Sequence, residues 1–164
     1  MPQELIIGII AGVVSTACFS FLLLIVKPRI KVAKEICKSE KTPNFYQIKV
    51  VNKSFFPLIN LSYSLHYFED SGDGIKRVTE IKPKFTPFQY ISAFHFKEFD
   101  QDYAIRIGYE GLDKYSLDNG VFEFSIIASH PFSNTVKLVK VDYRKDKLIE
   151  GRYETGKSLR VIRG

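Results

Sequence analysis

Few side chains in this sequence have the types and spacing that metal binding or nucleophilic catalysis needs. Its three histidines are His66, His95 and His130. The first two fall within segments that alternate like strands, and His130 precedes Pro131 in a predicted turn. No His-x-His, His-Glu-x-x-His or Cys-x-x-Cys spacing occurs, so a zinc site would have to be assembled entirely by the fold. The sequence therefore predicts no metal site and no catalytic residue.

The acidic residues form two groups, and both are typical of solvated turns and loops. Glu69, Asp70 and Asp73 surround Gly72 and Gly74 in a predicted hairpin turn, which lacks the remaining ligands of an EF-hand. The second group comprises Glu98, Asp100, Asp102 and Glu110. No Gly-x-x-x-x-Gly-Lys-Ser/Thr or Gly-x-Gly-x-x-Gly loop is present, so no cofactor is predicted.

The formal net charge of +6 comes from basic residues in two regions, one beside the apolar N-terminal stretch and one near the C-terminus. The second region predicts a face that suits an acidic partner, a nucleotide or a lipid. Its members are Lys140, Arg144, Lys147, Arg152 and Arg160. The alternative is a merely solvated surface. Nucleic acid has no motif in its favour, because the aromatic residues alternate at core spacing.

An uncharged stretch at residues 5–26 is the element on which the rest of the chain depends. At about 1.5 Å per residue it covers roughly 33 Å, enough to cross a hydrocarbon core of about 30 Å. A cleaved signal peptide would need a positive N-terminal region and a small-x-small cleavage site, and neither flanks the stretch. We therefore predict a retained, single-pass transmembrane helix.

Lysine and arginine are absent before this helix and frequent after it, at Lys27, Arg29, Lys31 and Lys34. The positive-inside rule then predicts an inner-membrane protein whose N-terminus lies outside and whose C-terminal domain lies in the cytoplasm. The same four residues are predicted to contact anionic lipid. A plain topogenic signal is the alternative reading of these charges.

Small residues recur every four positions within the helix, at Gly8, Gly12, Thr16 and Ser20. This spacing puts them on one slowly drifting face, where a second helix can approach closely and hydroxyls can bond across the interface. The pattern favours a homo-oligomer. The alternative is that glycine, serine and threonine are simply common in membrane helices.

After the helix, apolar residues alternate with a period of two, which indicates strands. The clearest case is residues 59–67, and further strands are predicted at 88–99, 136–143 and 148–153, with a short helical turn at 112–117. Eight or nine short strands separated by turns predict an all-β, immunoglobulin-like antiparallel β-sandwich.

Four parts make up the predicted chain. Residues 1–4 form a short non-cytosolic N-terminus, and residues 5–26 form the transmembrane helix. A basic juxtamembrane segment with the first strand occupies residues 27–44. The cytosolic sandwich occupies residues 45–164, which is long enough for one hydrophobic core.

Residues 123–153, EFSIIASHPFSNTVKLVKVDYRKDKLIEGRY, resemble the cytosolic sandwich of inward-rectifier potassium channels. The matching positions are Thr135, Val136, Tyr143, Ile149, Gly151 and Tyr153. This chain has one membrane helix instead of two and no Thr-Val-Gly-Tyr-Gly-like filter, so a potassium channel is not implied. The resemblance implies the fold, its cytosolic placement and a basic segment that meets lipid headgroups.

Two functions are consistent with these patterns, and neither is enzymatic. The first is a membrane-anchored protein whose cytosolic sandwich binds a protein partner or senses a ligand. The second is an oligomerising effector that perturbs the membrane when a signal binds the β domain, as some bacterial antiviral defence effectors do.

Overall fold

A computed structural model describes residues 2–25, 27–70, 76–93 and 103–163. Its first element is helix α1 (Pro2–Ile25), whose 24 residues rise over about 36 Å. Apolar side chains project from all sides of it, and Leu5, Val13 and Phe21 are each more than half exposed. The predicted N-terminal helix is confirmed, and it is long and apolar enough to cross a bilayer.

Eleven strands follow among the described residues. In chain order they are β1 (Ile30–Val32), β2 (Ile36–Ser39), β3 (Phe45–Asn52), β4 (Leu58–Asp70), β5 (Lys76–Ile81), β6 (Tyr90–Ile91), β7 (Ala104–Glu110), β8 (Gly120–Ser129), β9 (Val136–Tyr143), β10 (Leu148–Tyr153) and β11 (Val161–Ile162). They form two layers. Sheet A contains β1, β2, β3, β7, β10 and β11, and sheet B contains β4, β5, β6, β8 and β9.

The centre of sheet A is β3. Seven of its eight residues pair antiparallel with β7, starting at Phe45 opposite Glu110. The other edge of β3 is shared by β1 and β2, and between these two strands the N–H of Ala33 donates to the Lys49 carbonyl (2.9 Å). The sheet is extended by β10, which pairs in parallel with β2, and then by β11.

Sheet B is built around the long strand β4. It pairs with β5 and β6 along one edge and with β8 along the other, and β8 pairs with the whole of β9. Ile59 near the start of β4 lies opposite Ser129 at the end of β8. The loop at 53–57 and the turn at 130–135 therefore lie at one end of the sheet, and residues 117–119 lie at the other.

The two sheets meet in one hydrophobic core. Because side chains alternate along a strand, one face of each sheet supplies large apolar groups to this interior. Ile48 and Val50 of sheet A and Leu65 and Phe124 of sheet B are each fully buried there. The predicted β-sandwich with a single N-terminal helix is confirmed.

The pairing differs from the predicted antiparallel arrangement in one place, because β2 and β10 run parallel. Residues 27–44, predicted to hold one strand, contribute both β1 and β2. The predicted turn at 112–117 is a 3₁₀ helix (Leu112–Lys114). Of the predicted strand at 88–99, the structure forms β6, and residues 94–99 lie outside the described residues.

A buried tyrosine joins the two sheets. The hydroxyl of Tyr143, at the end of β9, donates to the carbonyl of Ala33 between β1 and β2 (2.7 Å). Both residues are fully buried, and burial raises the pKa of Tyr143 well above its usual range. Tyr109 is equally buried, but its hydroxyl has no hydrogen-bond partner among the described residues.

We expect Tyr143→Phe to lower the free energy of unfolding by about 1–2 kcal/mol, because it leaves the buried Ala33 carbonyl without its donor. Tyr109→Phe is the matched control: it removes a buried hydroxyl that lacks a partner in the described structure, so stability should stay the same or rise. Denaturant titration of both variants in detergent measures the difference. Equal destabilisation would contradict the role of Tyr143 as the bridge.

Candidate functional site

The sandwich begins immediately after the helix. Pro28 is already buried, and both backbone polar groups of Arg29 are bonded. The N–H of Arg29 donates to Ser54 Oγ (2.7 Å), and its carbonyl accepts the N–H of Lys53 (2.7 Å). Four extended residues span at most about 14 Å, so the loop between β3 and β4 is held close to the end of α1 at Ile25. We call this end of the sandwich the proximal end.

A buried asparagine shapes the same loop. Asn52 donates from Nδ2 to the carbonyls of Phe56 (2.8 Å) and Ser92 (2.9 Å), and its Oδ1 accepts the N–H of Ser54 (2.7 Å). An amide side chain suits this position because it carries donors and an acceptor together. Two of these bonds lie within the loop itself, and the third, to Ser92, attaches the loop to a segment forty residues further along the chain.

Basic side chains surround the proximal end. The proximal basic cluster consists of Lys27, Arg29, Lys31, Lys53 and Lys157. Lys53 Nζ lies 3.5 Å from the Lys157 carbonyl. Burial, and then the charges of Lys157 and Lys31, lower the pKa of Lys53. Like charges this close together create a positive potential that suits an anionic ligand.

Three of the four residues predicted to contact anionic lipid, Lys27, Arg29 and Lys31, belong to this cluster. All three are exposed, and Lys34 is exposed at the bend between β1 and β2. Their lipid contact itself stays a prediction. Lys53 and Lys157 were not among the predicted lipid contacts, because only the fold brings residues so far apart in sequence to one place.

A buried lysine holds the chain that covers the outer face of sheet A. Lys49 is 1% exposed, and its Nζ donates to the carbonyls of Glu154, Gly156 and Ser158, each at 2.7 Å. These residues belong to the C-terminal strap, by which we mean residues 154–160 between β10 and β11. An ammonium group has three N–H donors, so all of them are used.

The surroundings of Lys49 change its affinity for a proton. Burial, followed by the nearby charge of Arg106 opposite it on β7, lowers the pKa of Lys49 to about 8, while the Glu154 carboxylate acts in the other direction. The amine is therefore protonated at neutral pH. The three carbonyl oxygens of the strap take the place of the water that burial removes.

A second buried titratable group shapes the turn at 130–135. His130 is fully buried, and its Nδ1 accepts the N–H groups of Phe132 (3.3 Å) and Ser133 (3.2 Å). Burial lowers the pKa of His130, so the imidazole stays neutral at pH 7. Its ring meets Phe56 edge-on, with 5.1 Å between ring centroids. His130 therefore positions the turn and connects it to the loop after β3.

The small residues of α1 lie on an open face of the helix. Gly12, Thr16 and Ser20 line a groove of about 510 Å³, and a Cβ placed on Gly8 or Gly12 would meet no atom within 4 Å. Thr16 Oγ1 donates to the Gly12 carbonyl of its own helix (2.8 Å). The face is thus accessible to a second helix.

The basic residues predicted to form one face near the C-terminus are divided between the two sheets. Lys140 and Arg144 lie in β9 or directly after it, Lys147 lies in the connection to β10, and Arg152 and Arg160 lie in β10 and the C-terminal strap. The ammonium of Lys140 pairs with Glu123 (2.9 Å). Lys147 pairs with Asp146 beside it (2.9 Å).

A wide groove of about 1020 Å³ lies at the end of sheet B away from α1, and we call it the distal groove. Its charged lining residues are Glu69, Lys76, Asp118, Glu123, Asp142 and Arg144. Four carboxylates and two cations make it a surface of mixed charge. Only Arg144 of the predicted basic face lines it. In the part of the chain that the structure describes, no three His, Cys, Asp or Glu side chains gather as metal ligands do.

The other candidate residues fall at scattered places. His66 is half-buried, with its ring centroid 6.3 Å from that of Phe68. Glu110 forms an ion pair with Lys84. The candidates that lie outside the described residues are Gly72, Asp73, Gly74, His95, Glu98, Asp100 and Asp102.

No protein-family model matches the chain, and no curated protein is significantly similar to it. The likeness of residues 123–153 to the channel sandwich therefore stays a prediction. The features of this chain that bear on its function are the two ends of the sandwich and the open face of α1.

We expect Lys49→Met to release the C-terminal strap, because methionine fills a similar volume without any donor. Hydrogen–deuterium exchange followed by mass spectrometry should accelerate in residues 154–160 and stay unchanged in β8 of the other sheet. Arg106→Met is the control, since it removes the neighbouring charge and keeps the three hydrogen bonds. Equal protection of the strap in all three chains would contradict this role.

The wild type and Lys49→Met should also differ in how their stability depends on pH. The pKa of Lys49 is about 8 in the fold and 10.5 in an unfolded chain, so the unfolded state binds more protons between these values. Stability from this group therefore rises with pH across that window. From pH 8 to pH 10 the wild type should gain about 1–2 kcal/mol over Lys49→Met, in which every other titrating side chain is retained.

Proposed function

We propose that this chain is a single-pass inner-membrane protein of bacterial type, with its N-terminus outside and its β-sandwich in the cytoplasm as an interaction module. The observation that carries the proposal is the junction between helix and sandwich. There, a helix able to cross a bilayer leads within four residues into a fold surrounded by the proximal basic cluster.

Charge supports the orientation. Lys27, Arg29 and Lys31 are exposed beside the end of α1, whereas the described residues before the first apolar turn include Glu4 and no lysine or arginine. The fold adds Lys53 and Lys157 on the same side. Basic residues next to a membrane helix favour the cytoplasmic side, where anionic lipids attract each of them by about 1 kcal/mol.

The distal groove supports the proposal that the sandwich is an interaction module. β4 is 13 residues long, so its two ends are about 40 Å apart, and the groove opens at the end away from α1. Charges of both signs line it, and two of its carboxylates, Glu123 and Asp118, already pair with Lys140 and Lys145, which favours a polypeptide of mixed charge over a nucleotide. A protein partner in the cytoplasm is the ligand that this surface fits best.

Self-association through α1 is the remaining part of the proposal. The face with Gly8, Gly12, Thr16 and Ser20 is open along its length, and the absence of side-chain bulk at the glycines allows two helix backbones to approach closely. A dimer or larger homo-oligomer would then present several sandwiches side by side on one membrane.

Reporter fusions after Gly164 test the orientation. A fluorescent-protein fusion should be bright and an alkaline phosphatase fusion inactive, because phosphatase matures only outside the cytoplasm. A matched variant carries Gln3→Lys and Glu4→Lys with Lys27, Arg29, Lys31 and Lys34 changed to Gln, and it should shift both reporters in the opposite direction. Phosphatase activity of the unaltered chain would overturn the proposed placement.

Gly12→Leu tests self-association. A Cβ at Gly12 meets no atom within 4 Å, so the substitution should leave the fold intact and obstruct only a second helix. Native mass spectrometry in detergent should show oligomers for the wild type and mainly monomers for the variant. Val14→Leu, which changes an already bulky, exposed position outside this groove, is the control and should keep the oligomer.

A further inference from the structure

Exposed apolar side chains of the sandwich gather at its proximal end. The proximal apolar patch consists of Phe55, Phe56, Ile127, Phe132, Val136 and Leu138. Phe132 and Phe55 are the most open of these, at 71% and 68% exposed. Contiguous apolar groups of this size on a protein surface mark a place where something else binds.

Contacts between distant segments unite the patch. Phe56, from the loop after β3, packs edge-on against Phe132 of the turn at 130–135, with 5.2 Å between ring centroids. Ile127 and Leu138 lie opposite each other on β8 and β9. Their side chains point away from the core, because Ile126, the neighbour of Ile127 in the strand, is fully buried.

The outer face of sheet B changes character along its length. Beyond the pair of Ile127 and Leu138, the next pair on this face is Ser125 with Lys140, and the carboxylates of the distal groove follow. On β8 and β9 the exposed apolar pair therefore lies nearer α1, while the distal half of the face combines charged residues with Phe68, Val78 and Val121.

The junction with α1 sets the position of the patch. Phe55 directly follows Ser54, whose Oγ accepts the Arg29 N–H, and Arg29 lies four residues after the end of α1 at Ile25. That chain is at most about 14 Å long. A bilayer has roughly 5–8 Å of polar headgroup region on each side of its core, so a spanning α1 keeps the patch within reach of the headgroups.

We propose that the proximal apolar patch inserts between the lipid headgroups of the membrane that α1 spans. Aromatic rings favour this interfacial zone, and the proximal basic cluster beside them attracts anionic headgroups, so two signals act together. The sandwich then lies against the bilayer at a defined tilt, with the distal groove turned away from it. This inference rests on the proposed membrane insertion of α1.

The chain contains no tryptophan, so a single introduced indole reports its own surroundings without background. Phe132→Trp places this probe in the patch. Phe85→Trp is the matched control: Phe85 is also exposed (57%) and packs on Phe45, at the far end of β3 from the proximal end. The eight residues of β3 separate the two ends by about 24 Å.

Both variants of the full chain are reconstituted into vesicles of phosphatidylcholine and phosphatidylglycerol, with or without lipids brominated near the headgroup. Bromine should quench the Phe132→Trp indole at least twofold more than the Phe85→Trp indole, and only the former should emit at shorter wavelength. Phe55→Trp should repeat this result independently. Equal quenching at Phe132→Trp and Phe85→Trp would overturn the inference.

Two further outcomes are informative. Blue-shifted emission from Phe132→Trp without quenching by bromine would mean that protein covers the patch, and the inference would again be wrong. Alkaline carbonate extraction of the same vesicles tests α1 separately. Loss of every chain from the vesicles would overturn the proposed anchoring, whereas retained chains with an unquenched indole would overturn only the role of the patch.

Discussion

The pair of backbone hydrogen bonds at Arg29 is the constraint on which the arrangement of this protein depends. A chain that leaves a membrane helix is ordinarily free to swing, because a loop links it to the next domain. Here the loop between β3 and β4 takes up both polar groups of Arg29, and Asn52 fixes that loop from within. Helix and sandwich are thereby joined with almost no intervening linker, and the proximal end of the fold cannot move far from the end of α1.

Two buried polar side chains support the periphery of the fold in the same manner. Lys49 and His130 each bind backbone groups of an irregular segment, the C-terminal strap in one case and the turn at 130–135 in the other. Irregular segments lack the backbone hydrogen-bond ladder of a sheet, so a side chain must supply partners for their buried N–H and C=O groups. Burial makes protonation costly for both residues, yet only Lys49 carries its charge at neutral pH, because burial lowers its pKa from 10.5 to only about 8, whereas the pKa of His130 is lowered from 6.5.

Local patterns in the sequence predict where individual strands begin and end better than they predict which strands pair. β9 and β10 have the bounds that the sequence predicts, because each is a short alternating run between clear turn signals. The parallel pairing of β2 with β10 could not be predicted, because it joins segments more than a hundred residues apart. Lys49 lies between the apolar residues Ile48 and Val50, as an outward-facing lysine of a strand does, and no local pattern indicates that the strap covers it. The proximal apolar patch is equally hard to predict, because its members come from two distant stretches of the chain, residues 55–56 and 127–138.

The parallel pair of β2 and β10 also bears on how the protein is made. β2 emerges among the first residues after α1, but its partner is one of the last strands to be synthesised. During translation the edge of sheet A therefore waits unpaired while the helix can already engage the membrane. Sheet B, whose strands β4, β8 and β9 pair antiparallel with one another, completes earlier. In order of synthesis, sheet B therefore has all of its strands before sheet A does, and the edge of β2 that β10 covers has no partner until β10 is made.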